Sequence, residues 1–313
     1  MKKLIRYWNQ NRLKIIIIGI IIVFIIILIQ VINGILARTK PEFNTENTEI
    51  KDTSKPSESV ITGEEVKEEV TENNTNIINS FVDFCNKKDY QSAYNLLSQE
   101  CKSTVFSTLD SFINNYCNKI KFNNITYDLE LWYYTGSTYT YRITYFENNI
   151  LATGNINSDN NIEDYITIVQ EDDGNKLNIS SFVDKVNVNK MQNNEGVEIT
   201  INTRLRYRDY ESYNITVKNT TDKTILLSEG NNGNDICLVD GNDVEYDSII
   251  NEVPLVNLEI DPGAQKTMDI RFYKMYNLYR TVEKISFKNI IKDREMYIQN
   301  VNNVERLKVS IDI

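Results

Sequence analysis

The sequence predicts a single-pass membrane chain that carries an α+β domain followed by an all-β sandwich. Three observations predict it. An apolar run occupies the N-terminus, the hydrophobic period changes from helical to alternating near residue 121, and from Val197 onward almost every segment is strand-like and bounded by turn residues. With 313 residues, 41% hydrophobic and 25% charged, the chain has material for one large or two ordinary domains.

Ile15–Ile29 is unbroken apolar sequence, and Ile35, Leu36 and Ala37 extend it past Gln30, Asn33 and Gly34. A helix of about 20 apolar residues crosses the hydrocarbon layer, so residues 15–37 are expected to span it. The stretch is too long for a signal peptide's apolar core, and Gly34–Ala37 is a poor cleavage site. Residues 1–14 carry Lys2, Lys3, Arg6, Arg12 and Lys14 and no acid. That asymmetry predicts a cytoplasmic N-terminus, with the bulk of the chain outside the cell membrane.

Residues 38–74 read as an acidic, disordered stalk. Between Pro41 and Asn74 ten acidic residues face three lysines, and large apolar side chains are few. Such a segment cannot bury enough surface to offset the cost of ordering its backbone. A short helix is expected around Glu64–Val70.

The α+β domain is expected over residues 75–187. Ile77, Ile78, Phe81, Phe84 and Cys85 recur at helical spacing. Asp89 reads as the cap of a second helix, and Val105, Phe106, Leu109, Phe112, Ile113 and Tyr116 stripe a third. After Lys121 the period becomes two. Ile125, Tyr127, Leu129, Leu131 and Tyr133 alternate with Thr126, Asp128, Glu130, Trp132 and Tyr134, and Tyr139, Tyr141, Ile143 and Tyr145 repeat the pattern. A polar linker is expected over Lys185–Glu195. The sandwich is expected over residues 188–313, with strands at Val197–Ile201, Tyr213–Asn219, Ile236–Tyr246 and Leu258–Ile260.

Two resemblances refine this outline. The phrase Lys88-Asp89-Tyr90-Gln91-Ser92-Ala93-Tyr94-Asn95-Leu96-Leu97-Ser98, at the end of the first helical stripe, resembles the opening of nuclear transport factor 2-like domains. That resemblance implies a cone of three helices packed in a curved antiparallel sheet, often enclosing a cavity. The phrases Val217–Lys223, Leu238–Tyr246 and Ile260-Asp261-Pro262-Gly263 resemble telokin-like, immunoglobulin-type domains of secreted and anchored bacterial proteins. The layout of tail, helix, stalk and transport-factor-like domain is similar to membrane scaffolds of secretion and conjugation machines.

Composition narrows the chemistry. The chain has no histidine, which removes imidazole bases, Ser-His-Asp triads and mixed His/Cys zinc sites. Its formal charge of −10 argues against nucleic acid as a partner. Cys85, Cys101, Cys117 and Cys237 have no CxxC spacing and read as reduced, buried packing residues. No catalytic, cofactor or metal site is predicted, and none of the cofactor classes is expected. The candidate contact or cavity residues are Trp132, Tyr133, Tyr134, Tyr139, Tyr141 and Tyr145, with Trp132 and Tyr134 expected to be exposed. The expected function is a non-enzymatic extracytoplasmic scaffold or interaction protein of a bacterial envelope, within a secretion or conjugation assembly, with protein partners or self-association. The alternative is a small-ligand-binding or sensing protein using the cone cavity.

The topology is directly testable. Protease added to intact protoplasts is expected to remove everything beyond the stalk, residues 38–74, and leave an anchored N-terminal fragment. A protected C-terminus, or a mature chain beginning near Arg38, overturns it.

Overall fold

The computed structural model describes residues 57–134, 136, 138–146, 161–277 and 280–313. The expected membrane helix over 15–37, the basic tail and the first part of the stalk lie outside the described residues. Among the described residues no helix is long and apolar enough to cross a membrane.

The stalk's last part, residues 57–74, is folded. Ser57–Val66 turns back on itself through a Glu58–Glu65 bridge and docks on the edge of the first sheet. There the Val60 N–H donates to the Leu131 carbonyl at 2.9 Å and the Ile61 N–H to the Trp132 carbonyl at 3.2 Å. The Ser59 hydroxyl donates to that same Trp132 carbonyl at 3.3 Å. Val66 packs into the first core. Glu58, Glu64, Glu65, Glu68, Glu69 and Glu72 are exposed, while a few small and apolar residues supply the contacts.

Helix Glu68–Asn86 follows, with Glu68 and Glu69 in the first turn, where carboxylates favour the helix dipole. It buries Thr71, Asn74, Thr75, Ile78, Phe81, Val82 and Cys85, a stripe at three- and four-residue steps. The helical chain is then restarted three times. Asp89 caps Tyr90–Asn95 by accepting the Ser92 N–H at 3.2 Å. Ser98 caps Gln99–Thr104 by accepting the Cys101 N–H at 2.9 Å. Thr108 and Ser111 form a capping box for Leu109–Phe112, which runs through a π turn at Ile113–Cys117 into Asn118–Ile120.

Strands β1 (Thr126–Tyr134), β2 (Tyr139–Phe146), β3 (Ile162–Glu171) and β4 (Gly174–Asn178) form an antiparallel meander in the order β1-β2-β3-β4. One face packs on the helices, with Phe81, Phe112, Leu131, Tyr141, Ile166 and Leu177 among the buried side chains. All four cysteines are buried and unbridged.

Asp164 is fixed inside this core. Its Oδ2 accepts the Tyr116 hydroxyl at 2.8 Å and the Ser180 N–H at 3.0 Å, and its Oδ1 accepts the Ser181 hydroxyl at 3.2 Å. Tyr116 in turn meets the Tyr145 hydroxyl at 3.1 Å. Burial raises the Asp164 carboxyl above its ordinary value, and these donors only partly offset it.

Strand β5 (Phe182–Asn194) leaves the first core and enters the second without a break. It pairs with β6 (Val197–Tyr207), which pairs with β7 (Glu211–Asn219), and β12 (Gln265–Phe272) completes a sheet ordered β12-β7-β6-β5. A second sheet comprises β8 (Ile225–Leu226), β9 (Ile236–Asp240), β10 (Glu245–Asp247), β11 (Glu259–Ile260), β13 (Val282–Ile291) and β14 (Arg306–Asp312). Its order is β10-β9-β13-β8-β11, with β14 on β13. Ile199, Ile215 and Ile270 from the first of these sheets face Leu238, Ile285 and Val309 from the second across one core. A bulge between Phe287 and Ile290 keeps both in that core although they are three positions apart.

These findings correct the expected fold class. The described residues are mostly β-sheet, and no transport-factor-like cone is evident. The physical reason is local. Asp89, Ser98 and Thr108 each stop and restart the helix, so Tyr90–Asn95 and Gln99–Thr104 are six residues each and the run from Leu109 to Ile120 is interrupted by its π turn, and the four strands lie beside them as a plain meander. Nor is the second half a separate immunoglobulin-like unit joined by a linker. Lys185–Glu195, expected as that linker, is the β5 strand and its turn, and the 187/188 boundary falls inside the strand.

Asp164 gives a pH-dependent expectation. A carboxyl whose folded value lies above its unfolded one binds more protons when folded, so its contribution falls as pH rises from the unfolded value through the folded one. Asp164→Asn should accordingly gain on the wild type as pH is raised from about 3.5 to 7, with Nδ2 donating to Ser181 and Oδ1 keeping the other two donors. Asp164→Ala should lose about 1–3 kcal/mol per stranded donor at either pH. Urea midpoints of the three proteins check this; a wild-type-minus-Asn difference that does not change with pH overturns it.

Candidate functional site: an aromatic cleft

Strict alternation would place Tyr133 beside Leu131 on the helix-facing side of β1. The structure does otherwise, because β1 bulges between these two residues. Leu131 pairs with Tyr141, but Tyr133 pairs with Thr140 and Tyr134 with Tyr139. One extra residue moves each following side chain to the other face. Tyr134 joins the helix side, where it stacks on Tyr139 with ring centroids 4.9 Å apart. Tyr133 emerges on the outer face and is buried there with Val183 and Tyr276.

The six sequence-predicted residues therefore divide. Tyr141 and Tyr145 are core residues: Asn74 Nδ2 donates to the Tyr141 hydroxyl at 3.3 Å, and Tyr145 belongs to the Asp164 network. Tyr139 lines a hollow of about 350 Å³ with Val70, Asn74 and Ile168. Only Trp132 and Tyr133 come together at a larger cavity. Trp132 and Tyr134, expected to be exposed, are both half-buried.

That cavity is a cleft of about 460 Å³ between the outer face of the first sheet and one end of the sandwich. Trp132, Tyr133, Tyr276 and Tyr246 form its aromatic walls. Tyr133 meets Tyr276 edge to face at 5.3 Å, and Trp132 meets Tyr165 the same way at 5.1 Å. Tyr273 and Met275, 65% and 54% exposed, and Ile61 form an apolar rim, and Arg280 stands on it.

Cations back the rings. The Arg206 guanidinium lies 5.2 Å from the Tyr276 ring centre, Arg208 lies 4.6 Å from Tyr165 and 5.4 Å from Trp132, and the Lys274 ammonium lies 5.6 Å from Tyr246. Each cation has an acid: Asp184 holds Arg206 with two parallel bonds, Asp209 holds Arg208, and Glu211 meets Lys274 at 3.0 Å. Burial works against the Arg206 charge, and Asp184 more than restores it, so the guanidinium stays above its ordinary value. Burial pushes the Tyr276 hydroxyl up, and Arg206 pulls it back in part.

Read from sequence alone, Arg204, Arg206 and Arg208 suggest a solvated strand face. Arg208 instead fastens the second half of the protein to Trp132 and Tyr165 of the first, and Arg206 backs Tyr276. Tyr246, Tyr273, Met275 and Tyr276 were not legible as a site. The signal for the last three was present in Phe272–Asn277, whose alternation continues past the end of β12 with Phe272, Lys274 and Tyr276 inward and Tyr273, Met275 and Asn277 outward.

No protein-family model matches the chain, and no curated protein matches it. A solved structure of a conserved hypothetical protein from Bacillus anthracis aligns over 41% of this chain and 90% of that one, at 16% identity and a TM-score of 0.23. A likeness that slight carries no argument about fold or function.

The floor of the cleft depends on a buried ion pair. Lys274 and Glu211 are each 2% exposed, and Glu211 also accepts the Tyr213 hydroxyl at 2.7 Å. Lys274→Met should destabilise by about 3–5 kcal/mol, because it strands a buried carboxylate. Adding Glu211→Gln should restore most of this, since a glutamine still accepts from Tyr213. Chemical denaturation of both variants checks the pair; equal losses in single and double variants overturn it.

Proposed function

We propose that this chain is a membrane-anchored, extracytoplasmic scaffold or interaction protein of a bacterial envelope, and that the aromatic cleft is where it holds a partner protein. One observation carries the reading: Ile61, Tyr273 and Met275, together with the neighbouring Val60, expose apolar surface around a single aromatic cavity. Exposed apolar side chains gathered round a concavity mark contact sites, and Tyr, Trp and Met are the residues that interfaces favour. The apolar run over 15–37 and the basic residues before it support the anchor and its orientation. An anchor confines the domain near its membrane, which strengthens weak lateral contacts through effective concentration.

A second reading, small-ligand binding or sensing, moves to the same cleft. The cavity of about 460 Å³ lies within the usual size of small-molecule pockets.

A photo-crosslinking residue at position 273, in intact membranes, should give a discrete protein adduct. With the crosslinker kept at 273, Met275→Ser should leave the folded core intact and weaken that adduct. Absence of any adduct, or an adduct from a crosslinker placed at 275 that persists in Tyr273→Ser unchanged in yield, overturns the scaffold reading. Saturable binding of a small molecule that excludes crosslinking would favour the second.

A further inference from the structure

We propose that the cleft takes an extended peptide segment of its partner, with an apolar anchor flanked by acidic residues, added as a short strand beside Tyr273–Asn277. This rests on the scaffold reading above and names the chemistry of its partner.

Backbone geometry supports the strand. Residues 271–277 alternate strictly between exposed and buried, but the ladder with β7 ends at Phe272. Beyond it the Tyr273 N–H donates to the Asp247 carbonyl at 3.0 Å and the Tyr276 N–H to the Arg208 carbonyl at 2.8 Å. Met275, between them, makes no backbone hydrogen bond among the described residues. An extended segment with an unpaired N–H and carbonyl is a template for one more strand, whose side chains would alternate between the cavity and solvent.

The cavity sets the anchor. Its walls are aromatic and its rim is Ile61, Tyr273 and Met275, so the inward side chain is apolar.

Charge sets the flanks. The chain carries 44 acidic residues and a net charge of −10, yet among the described residues no carboxylate lines this cleft. Arg206, Arg208 and Lys274 each present the cationic end of an ion pair to a ring at the cavity. Arg280 on the rim forms no ion pair among the described residues. The acid that acts on it through space, Asp240, is already held by the Tyr246 hydroxyl and the N–H groups of Asn242 and Val244. An acidic flank finds complementary potential here, whereas a basic one would face the backed rings and Arg280.

The test uses the full chain in lipid nanodiscs with Trp8→Phe, which leaves Trp132 as the one indole reporter. Two capped hexapeptides are compared, each with a central Leu-Phe pair, one flanked by Glu and one by Lys. The Glu peptide should shift Trp132 emission saturably and bind at least about tenfold more tightly than the Lys peptide. Arg280→Ala should erase most of that preference, and Met275→Pro, which removes the backbone donor, should weaken the Glu peptide about tenfold while Met275→Leu does not. Far-ultraviolet circular dichroism confirms that each variant is folded; Tyr273→Ala replaces Met275→Pro if the proline variant is not. Equal affinity for both peptides, no binding of either, or indifference to Arg280→Ala overturns the proposal. Crosslinking from position 273 that survives such a failure would leave the scaffold reading standing and reject only the acidic, extended partner.

Discussion

The pairing of β5 with β6 is the constraint on which the rest of the structure depends. Phe182, at the start of β5, is buried in the first core and packs on Tyr207 at 5.4 Å, while Val197, at the start of β6, is buried in the second. A single antiparallel hairpin thus belongs to both hydrophobic cores, and Leu205 and Tyr207 return along it to cover the first. Any rotation of one half against the other would have to break this ladder or pull Phe182 from its site. The Asp184–Arg206 pair spans the same two strands near the join. Because β5 and β6 are fixed, Arg208 reaches Trp132 and Tyr165 on the outer face of the first sheet while Arg206 backs Tyr276, and the cleft has a defined shape.

The cleft itself shows how an aromatic surface can be both buried and accessible. Its floor rings are held from behind by Arg206, Arg208 and Lys274, which pack their aliphatic stems in the protein and keep their charge paired. The floor is therefore rigid, while the rim residues Tyr273 and Met275 stand out from a segment with no strand on its open side. Preorganised walls beside an adaptable, methionine-bearing rim suit recognition of a side chain in a backbone-defined setting.

Much of the secondary structure was legible in the sequence. The stripe Ile77, Ile78, Phe81, Phe84 and Cys85, the cap at Asp89, and the alternation from Thr126 to Tyr145 lie in helix Glu68–Asn86, at the start of the next helix, and in β1 and β2, although Ile77 and Phe84 are only half-buried and Val82 takes a core place instead. What sequence could not show was where alternation breaks. The bulge after Leu131 is set by pairing with β2 and by the docked Val60 and Ile61, both distant in sequence, and nothing in Leu131-Trp132-Tyr133-Tyr134 marks it. That single insertion sends Tyr133 to the cleft and Tyr134 to the core. Lys185–Glu195 misled for a related reason: an edge strand exposes polar side chains, so its composition resembles a linker although one side of its backbone pairs along β6. The cone expectation failed because turn and cap motifs such as Asp89-Tyr90 specify where helices start and stop and say little about how a sheet curves around them.

The folded-back segment Ser57–Val66 joins two roles in one place. It is the first described part of the chain after the sequence that carries the apolar run, and it also supplies Ile61 to the rim and holds the carbonyls of Leu131 and Trp132. Tension on the chain from its N-terminal side would load these few hydrogen bonds before it reached either core. Release of this clasp would uncover the β1 edge, take Ile61 from the rim of the cleft and draw Val66 out of the first core, while the second core stayed closed.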